Sequence, residues 1–168
     1  MSYIICGYKG VGKSTYAHNY SYSKSLKHYP ISSKFGYKPR IIYNFEDLDT
    51  SELVLRGLQK AYNEKDDAVI LFPLNEEVVT ALHDNNYPFA TLFPDPRLID
   101  RWESRLFPSE ISNFENDCIK WKKDKRSTVQ FVIKDPNDTG MNGWMVDSIV
   151  LMMDRKLNKW KENEWKIE

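Results

Sequence analysis

One junction near the start constrains the chain more than any other stretch. The apolar run Ser2–Cys6 passes straight into Gly7-Tyr8-Lys9-Gly10-Val11-Gly12, and Lys13-Ser14-Thr15 then opens a helical pattern. An apolar run of that length reads as a buried strand, and three glycines in six residues give a tight turn out of it. A strand that turns at once into a helix is the first half of a parallel crossover, so the rest of the chain should continue in strands and helices by turns.

It does. Runs at 2–6, 40–45, 68–72, 89–93 and 128–133 read as strands. A helix is expected from Lys13 to about Tyr22, followed by a polar, proline-containing connection. Asp49, three residues before Glu52, has the spacing of a helix cap, with Leu55, Leu58 and Tyr62 keeping one face apolar. Asn75 before Glu76 and Glu77 looks like the next cap, on a helix carrying Val78, Val79 and Leu82. Asp95 and Pro96 should start a helix with Leu98, Trp102 and Leu106 on one side, and a further helix is expected through Ile111, Phe114, Cys118 and Trp121. The last, about 143–161, shows Val146, Ile149, Val150, Met153, Leu157 and Trp160 at helical spacing, a pattern of core packing. The expectation is one α/β domain over residues 1–168 with an open parallel sheet and ligands at the carboxyl edge of its strands.

Composition supports a globular protein: 41% hydrophobic and 14% aromatic residues. No stretch has the length of a membrane span or a secretory core, and Cys6 and Cys118 have no metal-ligand or redox spacing, so a cytoplasmic protein is expected. The net charge of zero conceals an uneven distribution. No acid occurs from Met1 to Phe45, while Lys9, Lys13, Lys24, Lys27, Lys34, Lys38 and Arg40 are all basic. Such a field suits a phosphorylated small molecule or a nucleic-acid backbone, or is simply a solvated basic face.

The glycines and the charge meet in one motif. Gly7, four residues, then Gly12-Lys13-Ser14 is the spacing of a phosphate-binding loop, in the strand-to-helix setting that loop needs. Glycines leave the backbone amides of Gly7, Lys9, Gly10, Val11, Gly12, Lys13, Ser14 and Thr15 room to turn toward a polyphosphate, and the helix start adds its positive dipole end. Lys13 can reach the outer phosphates, and Ser14 can place its hydroxyl on Mg²⁺. ATP and Mg²⁺ are the expected ligands. An acid for metal or acceptor is usual at the end of a buried strand, but the run at 68–72 ends in Phe72-Pro73. Glu46, Asp47 and Asp49 after the second strand are the nearest substitutes; Asp47 is favoured, since Asp49 doubles as the expected cap. For cations, Arg97, Arg101 and Arg105 recur every fourth residue, about 40° apart on a continuous helix, which would align them as a phosphate clamp or leave them as ordinary surface charge. The cluster Lys120, Lys122, Lys123, Lys125 and Arg126 reads as a solvated helix face.

Taken together, the early Gly7–Thr15 loop, the acids after the second strand and an arginine-bearing excursion between the fourth and fifth strands resemble the P-loop nucleoside monophosphate kinases, the adenylate-kinase-like group. The run from Asn75 to Arg105 is similar to the middle of small kinase-like P-loop proteins of phages and Firmicutes. This resemblance implies a three-layer α/β/α P-loop fold with strand order 2-3-1-4-5 and a helical lid at about 95–127 that closes over both substrates. It implies Lys13 and Ser14 on ATP and Mg²⁺, Asp47 or Asp49 toward acceptor or metal, and Arg97 and Arg101 as lid arginines. The implied reaction is phosphoryl transfer from ATP to a nucleoside or deoxynucleoside monophosphate. Lys34, Lys38 and Arg40 are candidates for the acceptor side. A kinase of another small phosphate acceptor, such as a sugar acid, would use the same loop. A nucleotide-binding regulatory or nucleic-acid-associated module would suit the basic first 45 residues, although the chain carries no nucleic-acid motif.

Overall fold

The computed structural model describes residues 2–20, 40–65, 67–135 and 140–158. Strands β1 (Ser2–Gly7), β2 (Ile41–Asn44), β3 (Ala68–Pro73), β4 (Phe89–Pro94) and β5 (Val129–Ile133) form one sheet in the order β2-β3-β1-β4-β5. Every pairing is parallel. The three central strands are buried on both faces, which is why their sequences are nearly unbroken apolar runs. Ile4, Ile5, Ile70, Leu71, Ala90 and Leu92 are fully buried. Burying a large aliphatic side chain of this kind contributes about 1.5–3 kcal/mol.

Helix α1 (Lys13–Tyr20) follows β1. The chain continues through α2 (Ser51–Ala61), α3 (Glu76–Asp84), α4 (Ile99–Trp102), α5 (Pro108–Ile111) and α6 (Phe114–Lys123) to α7 (Gly143–Leu157). From β1 the connection runs toward β2 on one side of the sheet; from β4 it runs toward β5 on the other. The carboxyl ends of these two neighbours therefore form a topological switch point, where open α/β sheets take their ligands. Asparagine caps hold two of the flanking helices: Asn75 accepts from the Val78 amide and Asn142 from the Met145 amide.

Four local expectations are corrected. The cap of α2 is Thr50, which accepts from Leu53, so Asp49 is released from that role. Asp95 does cap its helix start, accepting from the Arg97 amide. The expected helix at 95–106 is nevertheless broken into a 3₁₀ turn (Pro96–Leu98), the single turn α4 and a second 3₁₀ turn (Glu103–Arg105). These turns follow one another without a gap, and the segment stops before Phe107, where Pro108 disfavours helical backbone and the chain is extended at φ −68° and ψ 153°. The helix expected through Ile111 and Trp121 likewise starts anew at Phe114.

The fourth correction concerns Arg40. It stands at the start of β2, at the amino edge of the sheet and opposite the glycine loop, where it packs over the Tyr3 ring at 6.0 Å. Its guanidinium donates to Asp147 of α7 at 3.0 Å and pairs with Asp67 at 3.6 Å. An arginine committed to two carboxylates at that edge is a fastening for α7, not a ligand for an acceptor. Lys34 and Lys38 lie outside the described residues.

Candidate functional site

The turn between β1 and α1 occupies the switch point. Gly10 and Gly12 take the left-handed φ values of 79° and 86° that side chains disfavour. The strand ladder is extended into the turn by the Tyr8 amide, which donates to Leu92, while Leu74 donates to the Gly7 carbonyl. Val11 is fully buried, and its carbonyl accepts from Met141 in the segment leading into α7. The turn is thus clamped from both neighbouring strands and from above.

Lys13 begins α1 with its side chain 3% exposed. Its Nζ donates to the Gly7 carbonyl at 2.8 Å, folding the side chain back across the mouth of the turn. A carboxylate, Glu46 Oε1, stands 3.5 Å away. Burial pulls the Lys13 ammonium below its ordinary proton affinity, and Glu46 restores part of it. Beside it, the Ser14 hydroxyl donates to Glu46 Oε2 at 2.6 Å and accepts from the Asn44 amide at 3.1 Å.

The acid that reaches the loop is therefore Glu46. Asp47 and Asp49 are exposed on the turn that follows. Backbone alternation supplies the reason. Phe45 is pinned by its amide to Leu71 and turns its ring toward Phe72, at 5.7 Å between centroids. Its neighbours two apart, Asn44 and Glu46, then point together toward Ser14. The alternation was present in the sequence as a signal for Glu46.

The excursion between β4 and β5 is seated on the turn's outer side. Trp102 donates its indole N–H to the Lys9 carbonyl at 2.9 Å, and Tyr8 donates its hydroxyl to Asp117 at 2.9 Å while its ring meets Phe114 edge-on. The Lys9 ammonium pairs with Glu110 at 3.3 Å rather than turning inward. Of the three arginines, Arg105 is set against the loop: a Cβ at Gly10 would stand 3.0 Å from Arg105 Cβ, and the guanidinium stacks on Trp102 at 4.4 Å. Arg97 is 76% exposed and bound to Asp95 at 3.1 Å; it lines a cleft of about 510 Å³ with Lys122, Lys123 and Lys134, which no loop residue lines. Arg101 is exposed, as is Thr15. Arg97 and Arg105 lie in the two 3₁₀ turns, whose tighter winding takes a four-residue stride off a single face.

In the basic cluster after β4, Arg126 is tied to Asp124, Thr80 and Glu76, and Lys120 joins it on Glu76 at 3.1 Å. These ion pairs lock the end of α6 to the start of α3. Both cysteines are buried and free, and burial pushes the Cys118 thiol up to about 12, so neither offers a thiolate. Among the described residues, no group of three or more His, Cys, Asp or Glu side chains could hold a metal ion by itself, and no helix is long and apolar enough to cross a membrane.

No family model and no curated protein matches this chain. Among solved structures, it is similar to an uncharacterized protein from Eubacterium ventriosum, with 18% identity over 90% of this chain and 97% of that one and a TM-score of 0.39. So slight a likeness adds nothing to the architecture read from the sheet.

Proposed function

We propose that this chain binds the triphosphate of ATP at Gly7–Thr15 and transfers its terminal phosphoryl group to a nucleoside or deoxynucleoside monophosphate, within a P-loop fold whose lid is the 95–127 excursion. The observation that carries the reading is Lys13: a lysine 3% exposed, at the head of a helix, behind a turn with two left-handed glycines, at the carboxyl edge of a parallel sheet. Burying an ammonium is costly unless an anion accompanies it, and one carboxylate at 3.5 Å compensates only part of that cost. A phosphate oxygen supplied by a ligand would complete the compensation. The amides that open α1 add donors with no partner inside the helix, and the helix dipole favours the same negative charge.

The residues also fit Mg²⁺. Ser14 and Glu46 present hard oxygen donors at one spot, and magnesium is ordinarily held by one or two protein oxygens with phosphates and water, so a larger acidic cage is not required. When bound, the ion would neutralise charge on the phosphate oxygens. Lys13 would hold the terminal phosphoryl group in line, and Arg105, beside Gly10, is better placed than Arg97 to share the developing charge. The excursion would exclude water from that side, since its Trp102 already closes on Lys9.

The test is ADP release from Mg-ATP in the presence of a panel of ribo- and deoxyribonucleoside monophosphates, with phosphate acceptors lacking a base as the comparison set. At least one monophosphate should be turned over, and Lys13→Ala should lower that rate by roughly 10²–10³-fold, the range seen when one transition-state donor is removed. Unchanged turnover in the variant, or Mg-ATP binding without transfer to any monophosphate, would overturn the kinase reading.

A further inference from the structure

Glu46 has two engagements that a bound polyphosphate would disturb. Its Oε1 faces the buried ammonium of Lys13 at 3.5 Å, and its Oε2 accepts the Ser14 proton at 2.6 Å. These are the two side chains that the proposed function assigns to phosphate and metal, and the inference rests on that reading. We infer that Glu46 is an internal stand-in for the phosphate: its carboxylate holds Lys13 and Ser14 when no metal is bound, opposes an incoming anion, and is turned from competitor to metal partner by Mg²⁺.

The construction around Glu46 favours a movable carboxylate on a fixed backbone. Phe45 is anchored by its amide to Leu71 and by its ring against Phe72, and Leu48 closes the turn by donating to the Phe45 carbonyl. The Glu46 side chain itself is 44% exposed, so it can swing into water without disturbing the core. Ser14 is arranged for the exchange. Its oxygen accepts from Asn44 and its proton goes to Glu46, which leaves one lone pair for a cation. A bare polyphosphate arriving at Lys13 meets the Glu46 charge, whereas a magnesium polyphosphate brings a cation to be shared by that same charge. Discrimination between free and metal-bound nucleotide would then reside in one residue after β2, in a chain whose β3 ends in Phe72-Pro73 with no acid.

Calorimetry with inorganic tripolyphosphate isolates the phosphate site from base and sugar. The wild-type chain should bind it weakly in EDTA and more tightly in Mg²⁺. Glu46→Gln keeps the size and one acceptor oxygen, exchanges the other for a donor amide and removes the charge; it should raise the metal-free affinity by roughly tenfold and shrink the gain from Mg²⁺ by a similar factor, as expected for losing one partly screened charge contact. Asp84→Asn, an exposed charge at the far end of α3, serves as the control and should change neither value. Thermal melting of Glu46→Gln should fall modestly, since Lys13 loses its carboxylate partner, and a single cooperative transition shows that the variant is folded. An unchanged or weaker metal-free affinity in a folded Glu46→Gln protein would overturn the assignment while leaving the nucleotide site standing. Absence of binding by the folded wild type, to tripolyphosphate and ATP alike and with or without Mg²⁺, would overturn the nucleotide site and Glu46's part in it together.

Discussion

The sheet has a buried cation at each end, and the two are treated differently. At the amino edge, Arg40 is 6% exposed and surrounded: Asp147 at 3.0 Å, Asp67 at 3.6 Å and the face of Tyr3, whose own hydroxyl is taken by Asp154. At the carboxyl edge, Lys13 is 3% exposed and has a backbone carbonyl and one half-exposed carboxylate. Arginine's planar fork suits several fixed partners at once, whereas lysine is a point charge that can be handed from one anion to another. Arg40 is fastened between two carboxylates, although its Nη1 makes no hydrogen bond among the described residues, and a cation so held ties a structure together. A cation with a single half-exposed carboxylate has room for a second anion.

The sharpest way to break this contrast is to remove the cation held by two carboxylates. Arg40→Met should lower unfolding stability by roughly 2–3 kcal/mol, below the usual cost of splitting a buried pair because Asp67 and Asp147 keep some access to water. Urea denaturation measures it, and tripolyphosphate affinity of the folded fraction should not move. A loss near zero, or a change in affinity, would place Arg40 on the wrong side of the comparison.

A smaller effect separates the two left-handed glycines of the ligand edge. Both Gly10→Ala and Gly12→Ala carry the left-handed backbone cost of about 1 kcal/mol or slightly more. A Cβ at Gly10 would also stand 3.0 Å from Arg105 Cβ and 3.1 Å from Trp102 Nε1, while the nearest atom to a Cβ at Gly12 is 3.8 Å away. Chemical denaturation should therefore rank Gly10→Ala as the costlier by about 1 kcal/mol. Equal losses would mean that the excursion does not bear on the turn.

The smallest effect is a slope. Because burial lowers the proton affinity of Lys13, the unfolded chain binds more protons than the folded one between the depressed folded value and the ordinary 10.5. Stability contributed by this group is least below that window and recovers as pH rises through it. Urea midpoints for Lys13→Met, compared with wild type from neutral pH upward, should be higher at neutral pH and converge with the wild type toward 10.5. A constant offset across the range would remove Lys13 from the class of uncompensated charges.

The contrast also marks what the residues disclosed in advance. The five strands and the long helices were legible because periods of two and 3.6 are imposed by burial, and β3 and β4 are buried on both faces. The turn was legible because left-handed backbone all but requires glycine, as at Gly10 and Gly12. The arginine row was not. A four-residue stride keeps to one face only at the α-helical pitch, and Arg97 and Arg105 lie in 3₁₀ turns that wind more tightly; the anchoring of Trp102 to Lys9 is a contact 93 positions away in the chain. The preference for Asp47 over Glu46 failed to follow the alternation of β2 past its last paired residue. Arg40 misled because charge counted along the chain does not say at which edge of the sheet it will be spent.

Trp102 gives the turn an optical consequence. Its fully buried indole is wedged between the Lys9 carbonyl and the Arg105 guanidinium, against the Gly10 backbone, so its emission depends on the electric field at that spot. Replacing the other four of the chain's five tryptophans by phenylalanine would leave a single tryptophan on the outer side of the turn. Binding of the proposed polyphosphate could then be followed in stopped flow without any label.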